Sequence, residues 1–280
     1  MVAATIPTFL FVVSRYYMLV HRAPDSHKGE NGKVAIIGGS RHMHGAPLLS
    51  ALAAEASGVD LIYIALPDCH ENAAKAASLN FQVYPFVDDD LQKHDVEPIL
   101  ELLATMDSAV IGPGISHGDS ASVDALKEII AGASCSLVLD ATALQLETLE
   151  LVKGKTAVLT PHLGELERMK IKPNELEERA KEAGVVILLK DQTDRIVGPD
   201  GTIEEVSGGN AGLTVGGTGD VLAGLVSGLI AQGVTPFDAS VNASRVMKTA
   251  AEVLEHEKGF AYTARDVIDL IPQLLKKLSI

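Results

Sequence analysis

The chain has 280 residues, 47% hydrophobic and 21% charged, an ordinary globular balance with ample material for a core in one large domain or two small ones. Its formal net charge is −14 and no Lys/Arg cluster offsets it, which argues against a nucleic-acid partner. Anionic small molecules must then be held by backbone amides, helix N-termini or a metal rather than by overall attraction.

In chain order, Ile6–Val13 is apolar, Arg15 interrupts the run, and Tyr16–Val20 resumes it. That is too short and too broken to span a bilayer, and no positive charge precedes it and no cleavage site follows. Residues 1–25 therefore read as an arm or helix packing on the domain or on a neighbouring subunit, with no membrane role. Lys33–Ile37 reads as a buried strand running into Gly38-Gly39-Ser40, and Ala46–Ser57 as a helix stopped by Gly58. Leu61–Leu66 is a strand closed by Pro67, Glu71–Leu79 a polar helix, Gln82–Val87 a short strand and Val96–Ala104 a helix. Ala109–Ile111 ends in Gly112-Pro113-Gly114, a helix covers Ser122–Ala131, and Leu137–Leu139 ends in Asp140. Ala157–Leu159 ends in Thr160-Pro161-His162; helices over Leu163–Met169 and Asn174–Ala183 follow, then the strand Val185–Leu189, ending in Lys190. Arg195–Val197 and Thr202–Val206 form a hairpin around Pro199-Asp200-Gly201, and three helical patterns fill the chain after Asp220. Cys69 and Cys135 lie in no paired or zinc-like spacing and read as two buried reduced thiols of a cytoplasmic protein.

Alternating strands and helices without a linker or repeat predict one doubly covered, mostly parallel sheet. Ligands on such sheets gather beyond the carboxyl ends of the strands, where Gly38–Ser40, Gly112–Gly114, Asp140, His162 and Lys190 fall. No GxxxxGK[ST] motif is present. Two other glycine-rich stretches compete. Gly112-Pro-Gly-Ile-Ser-His-Gly118 has the context of a dinucleotide fingerprint but the wrong spacing, so a redox site, a plain turn and a turn that touches substrate all stay open. Gly216-Gly217-Thr218-Gly219-Asp220 enters a helix whose free amides and positive dipole end suit a phosphate, while Asp220 as a simple N-cap is the alternative. A carboxylate beside a phosphate site is unfavourable unless it works. Asp220 placed as a general base would accept a hydroxyl proton as that oxygen attacks phosphorus.

With these residues in view, the chain from Ser26 onward resembles the NAD(P)H-hydrate dehydratase family. The ordered motifs are IIGGS at 36–40, GAPLLSALAAEASG at 45–58, IGPGIS at 111–116, LVLDATAL at 137–144, LTPHLGELERM at 159–169, Lys190, GGTGDVLAG at 216–224 and AYTARDVIDLIP at 261–272. The resemblance implies a ribokinase-like three-layer α/β/α fold with a mostly parallel central sheet, residues 26–280 forming a single domain. It implies repair of hydrated nicotinamide cofactors, NADHX and NADPHX, by phosphorylation of the added hydroxyl and loss of phosphate. ADP is the expected co-substrate because the chain looks microbial, ATP the alternative, with Mg2+ as cofactor and no metal ligand set assigned. It implies Asp220 as the catalytic acid-base group and a substrate contact; Ala46, Gly114 and His162 as substrate contacts; and Lys190, Asp191, Gln192, Thr193, Asp194, Gly217, Thr218 and Gly219 around the nucleotide. Glu165 is a candidate for orienting Mg2+ through water. The nucleotide loop reads KDQTD where family members have Gly directly after Lys, so Asp191 adds bulk and negative charge beside a phosphate. The resemblance further implies a homotetramer, and a separate NAD(P)HX epimerase as pathway partner, since the motifs begin at Ser26. A kinase of the same fold acting on a sugar, thiazole or pyrimidine alcohol is the runner-up, and a binding protein with a degenerate site is the reading from another class.

Overall fold

The structure is a computed structural model that describes residues 22–278; the expected arm over 1–25 lies, as far as residue 21, outside the described residues. Nine strands form one sheet in the order β3-β2-β1-β4-β5-β6-β7-β8-β9. They are β1 (Lys33–Ile37), β2 (Leu61–Ala65), β3 (Phe81–Val83), β4 (Ser108–Ile111), β5 (Ser136–Leu139), β6 (Ala157–Leu159), β7 (Val186–Leu189), β8 (Asp194–Val197) and β9 (Ile203–Val206). The pairs up to β7 are parallel; β8 and β9 add an antiparallel hairpin at one edge.

The helices are α1 (Gly45–Ala56), α2 (Glu71–Ala77), α3 (Val96–Leu103), α4 (Ser120–Gly132), α5 (Thr148–Leu151), α6 (Leu163–Arg168), α7 (Leu176–Ala183), α8 (Thr218–Ala231), α9 (Pro236–Lys258) and α10 (Ala264–Leu278). Strand side chains alternate between the two faces, so both faces of a parallel sheet must be apolar and covered. Val34, Ile36, Val110 and Val138 join α1, α8, α9 and α10 in one core. Ala35, Ile37, Ile111 and Leu139 join α3, α4, α6 and α7 in the other. This is the expected three-layer α/β/α architecture.

Local departures have local causes. The strand expected over Gln82–Val87 is shorter because Pro85 has no N–H to give the ladder. Pairing skips it: the Tyr84 amide donates to Ile64 O at 2.8 Å and the Phe86 amide to Leu66 O at 3.0 Å. The four-residue α5 carries no apolar periodicity to announce it. The cysteines also depart from expectation: Cys69 is exposed on the short turn after Pro67, while Cys135 is partly covered and burial pushes its thiol up to about 11. Among the described residues no helix is long and apolar enough to cross a membrane.

Helix α8 passes very close to α1. A Cβ on Gly224 would lie 2.1 Å from Ser50 O, and one on Gly228 2.1 Å from Ser57 Oγ. The Gly224 contact is with rigid backbone, so Gly224→Ala must push the two helices apart. The expected loss is about 1–3 kcal/mol, the usual range for overpacking; chemical denaturation should show a lowered midpoint at unchanged slope.

Candidate active site

Two glycine turns meet at the carboxyl ends of β1 and β4. The Gly39 amide donates to Pro113 O at 2.8 Å, and a Cβ on Gly38 would lie 2.3 Å from that same oxygen. Gly112, at φ +116°, leaves no room either: its Cβ would sit 2.1 Å from Asp140 O. These glycines let backbone pack on backbone. The helix that follows is capped from within, since the Asp119 carboxylate accepts from the amides of Ala121 and Ser122 at 3.2 and 3.3 Å. The first amides of that helix are thus already taken by its own cap, so the dinucleotide-fingerprint reading gains no support there. Gly114 and Ala46, 68 positions apart, do come together: a Cβ on Gly114 would be 3.2 Å from Ala46 Cβ.

One helical turn beyond Ala46, the Ser50 hydroxyl donates to the backbone oxygen of Asp220 at 2.9 Å. This ties the glycine cradle to the start of α8. Gly217, at φ +96°, is the N-cap of that helix, so Asp220 is the third residue inside it and not its cap. Its carboxylate accepts no hydrogen bond from the described residues. The left-handed φ is what favours glycine at 217; a Cβ there would also meet Leu49 Cδ1 at 2.3 Å, the end of a side chain that would have to turn aside. The Thr218 hydroxyl turns back to Leu213 O at 2.7 Å. Gly219 faces the sheet: its Cβ would lie 3.5 Å from Lys190 Nζ and 3.9 Å from Asp140 Oδ2.

Opposite α8 stands a mostly buried charge cluster from three consecutive strand ends. Lys190 Nζ donates to Asp140 Oδ1 at 2.7 Å and lies 3.5 Å from Glu165 Oε2. Thr160 donates to the same Asp140 oxygen at 2.8 Å. Asp140 is 3% exposed and Glu165 5%. Burial pushes the Lys190 ammonium down, but the two carboxylates outweigh it and hold it above the ordinary lysine value. Lys190 is thus paired and not a solvated surface lysine. Asp220 is the unpaired partner of this cluster. Burial first, then the charges of Asp140 and Glu165, raise its carboxyl to about 7 against the pull of Lys190. A carboxylate near 7 is poised to take a proton from a hydroxyl at neutral pH.

His162 caps α6. Its Nδ1 accepts from the amides of Gly164 and Glu165 at 3.0 and 3.3 Å, while Glu165 Oε2 accepts from the His162 amide at 2.8 Å. With Nδ1 an acceptor, the neutral ring carries its proton on Nε2. The side chain remains 56% exposed, so the capping role leaves one edge free. Glu165 Oε2 faces Lys190, as Asp140 Oδ1 does, so the two carboxylates share that ammonium.

The loop 190–194 divides in two. Asp191, Gln192 and Thr193 are exposed, whereas Asp194 is 7% exposed and its carboxylate faces inward. Asp194 accepts from the Asp191 amide at 3.0 Å and from the Ser244 hydroxyl at 2.6 Å, with Lys248 Nζ at 3.4 Å. The Asp194 carboxylate is therefore turned away from the surface and holds the loop from inside. Lys248, 5% exposed, completes the anchor by donating to Asp191 O and Gln192 O at 3.1 and 2.8 Å. Sequence reasoning missed Lys248 and Ser244, which sit in an unremarkable helical pattern fifty or more positions from the loop residues they hold. It also missed Thr160 as a partner of Asp140, although both end neighbouring strands.

The layering, the strand order and the antiparallel edge hairpin define a ribokinase-like α/β/α protein. A ribokinase-like superfamily protein of Enterococcus faecalis V583 shares this fold, with a TM-score of 0.82 at 24% identity over 93% of this chain and 92% of that one. Within the class, the family model for NAD(P)H-hydrate dehydratase matches residues 34–273, and the chain belongs to that family. It is 37% identical to the ADP-dependent (S)-NAD(P)H-hydrate dehydratase of Cenarchaeum symbiosum, covering 91% of this chain and 92% of that one. Identity to the enzyme of the same name from Nitrosopumilus maritimus is 36%, with the same coverage. The ADP/ATP-dependent NAD(P)H-hydrate dehydratase of Bacillus subtilis, co-crystallised with ATP and Mg2+, superposes with a TM-score of 0.77 at 26% identity over 92% of this chain and 94% of that one.

Proposed function

We propose that this protein dehydrates (6S)-NADHX and NADPHX to NADH and NADPH, converting ADP to AMP and phosphate, with ATP as the alternative phosphoryl donor. The observation that carries the reading is the Asp220 carboxyl, raised to about 7 and free of hydrogen bonds among the described residues, at the amino end of α8 against the Lys190 cluster. The nucleotide's terminal phosphate lies at the α8 amides, with Lys190 beside Gly219 to meet its charge. Asp220 takes the proton of the C6 hydroxyl as that oxygen attacks phosphorus and AMP leaves. The ring nitrogen's lone pair then expels phosphate from C6, and the resulting iminium loses the C5 proton to solvent, restoring the dihydropyridine. The water once added to the ring ends in the products of ADP cleavage, so the reaction balances. Ala46 and Gly114 form a small-residue wall where the substrate ring approaches, and the free edge of His162 contacts the substrate from the neighbouring strand end.

Among the described residues no group of three or more His, Cys, Asp or Glu could hold a metal ion by itself. Mg2+ needs no such group, since it prefers one or two carboxylates plus substrate phosphates and water over an all-protein cage. Asp140, whose Oδ2 faces Gly219, would hold it, and the ion would supply charge neutralisation for phosphoryl transfer. The reading also takes residues 26–280 as one domain, supported by the unbroken sheet, in a cytoplasmic homotetramer supplied by a separate NAD(P)HX epimerase.

The direct test is the purified protein with enzymatically hydrated NADH, adding ADP or ATP in separate reactions. Recovery of the reduced-nicotinamide absorbance with release of AMP or ADP is expected. A stable phosphorylated product without that recovery would mark a kinase instead, and no nucleotide turnover at all would mark a binding protein.

A further inference from the structure

The loop after β7 already holds anions of its own. The Asp191 amide is given to the buried Asp194 carboxylate, which Ser244 and Lys248 lock from behind. The next amide, that of Gln192, is also taken: it donates at 2.7 Å to Oδ1 of Asp191 itself. Lys248 pins the carbonyls of both residues to the interior, so the Gln192 amide is held facing outward. The two occupied amides are not equivalent. Freeing the Asp191 amide would break a buried network. Freeing the Gln192 amide needs only the rotation of an exposed side chain into water.

We propose that Asp191 is a resident anion on the Gln192 amide, displaced when a nucleotide binds, and that it sets selectivity for a diphosphate over a triphosphate. The proposal rests on the reading of this loop as the nucleotide site. Any phosphate oxygen that takes the Gln192 amide must first displace a carboxylate whose hydrogen bond to that amide is charge-assisted. Both nucleotides meet that competition equally. Afterwards the displaced carboxylate stays within a few bonds of the loop, and each further negative charge on the ligand is repelled by it. Repulsion at an exposed site is modest and screened by salt, which bounds the effect to about fivefold in affinity per ligand charge.

The test is calorimetric titration of the full chain with MgADP and MgATP, without substrate, for the wild type, Asp191→Asn and Asp191→Gly. Asp191→Asn keeps an acceptor of the same shape for the Gln192 amide and removes the charge; Asp191→Gly removes both. The wild type is expected to prefer MgADP, with the preference shrinking at high salt. Asp191→Asn should tighten MgATP about fivefold more than MgADP. Asp191→Gly should tighten both, the triphosphate again more. An unchanged ratio of the two dissociation constants in both variants, with binding intact, overturns the proposal while leaving the loop as the nucleotide site. A wild type that binds neither nucleotide overturns the site reading itself, and the selectivity proposal with it.

Discussion

Asp220→Asn is expected to lower the dehydration rate by about 10³-fold, within the usual contribution of a positioned base, while ADP affinity changes little. The substitution keeps the shape of the side chain and the helix start, so nucleotide contacts through Gly219 and Lys190 persist. Wild-type kcat/KM should rise with pH and level off above about 7, following ionisation of Asp220. The variant's residual rate should lack that rise. Near-normal turnover in Asp220→Asn would remove the base from the mechanism.

The same group predicts an opposite effect on stability. In the unfolded chain an aspartate releases its proton near 3.9, whereas the folded Asp220 holds it up to about 7. Between those values the native state carries the extra proton, so stability declines as pH rises through this window. Above it the folded protein bears the whole penalty of an ionised, partly buried carboxylate facing Asp140 and Glu165. Asn has no such penalty. Asp220→Asn should therefore melt higher than the wild type at pH 8 and alike near pH 4, gaining stability where it loses activity. Equal melting temperatures at both pH values would show that burial and the neighbouring acids do not strain this group.

What the sequence made legible follows from how far apart the determinants lie. Each strand is a short apolar run with a turn residue at its end, so the parallel sheet and the list of strand-end residues could be read locally. Asp140, His162 and Lys190 emerged that way. Their pairing could not, because the Lys190–Asp140 bond spans fifty positions and depends on β5, β6 and β7 lying side by side. Asp194 shows the limit within a motif. Its neighbours Asp191 to Thr193 face solvent, but its own carboxylate turns inward because Ser244 and Lys248 on α9 wait beneath it. The glycines divide similarly. Those at 112, 114 and 217 looked like ligand-binding glycines, yet at 112 and 114 a Cβ would strike another part of the chain, and at 217 the left-handed φ already favours glycine.

Lys190→Met should unsettle both the fold and the chemistry, because the lysine is the cation of a cluster that contains three carboxylates. Removing it leaves Asp140 and Glu165 buried without their shared partner, and breaking a buried pair from one side typically costs about 3–5 kcal/mol. The sign with pH is fixed by the lysine. Its folded form holds the proton more tightly than the unfolded form, so the stability it supplies is complete at neutral pH. That stability disappears only as pH climbs through the raised value, above the ordinary lysine range of about 10.4. The variant should therefore show its full loss at pH 7 by chemical denaturation. Function should suffer in two separable ways. Nucleotide affinity should fall, since Lys190 lies beside Gly219, where the phosphate would be met. Asp220 should also become harder to ionise, because Lys190 is the charge that now pulls its carboxyl down against burial and two acids. The midpoint of the residual kcat/KM profile should then move above 7, while a lysine that merely held phosphate would leave it in place.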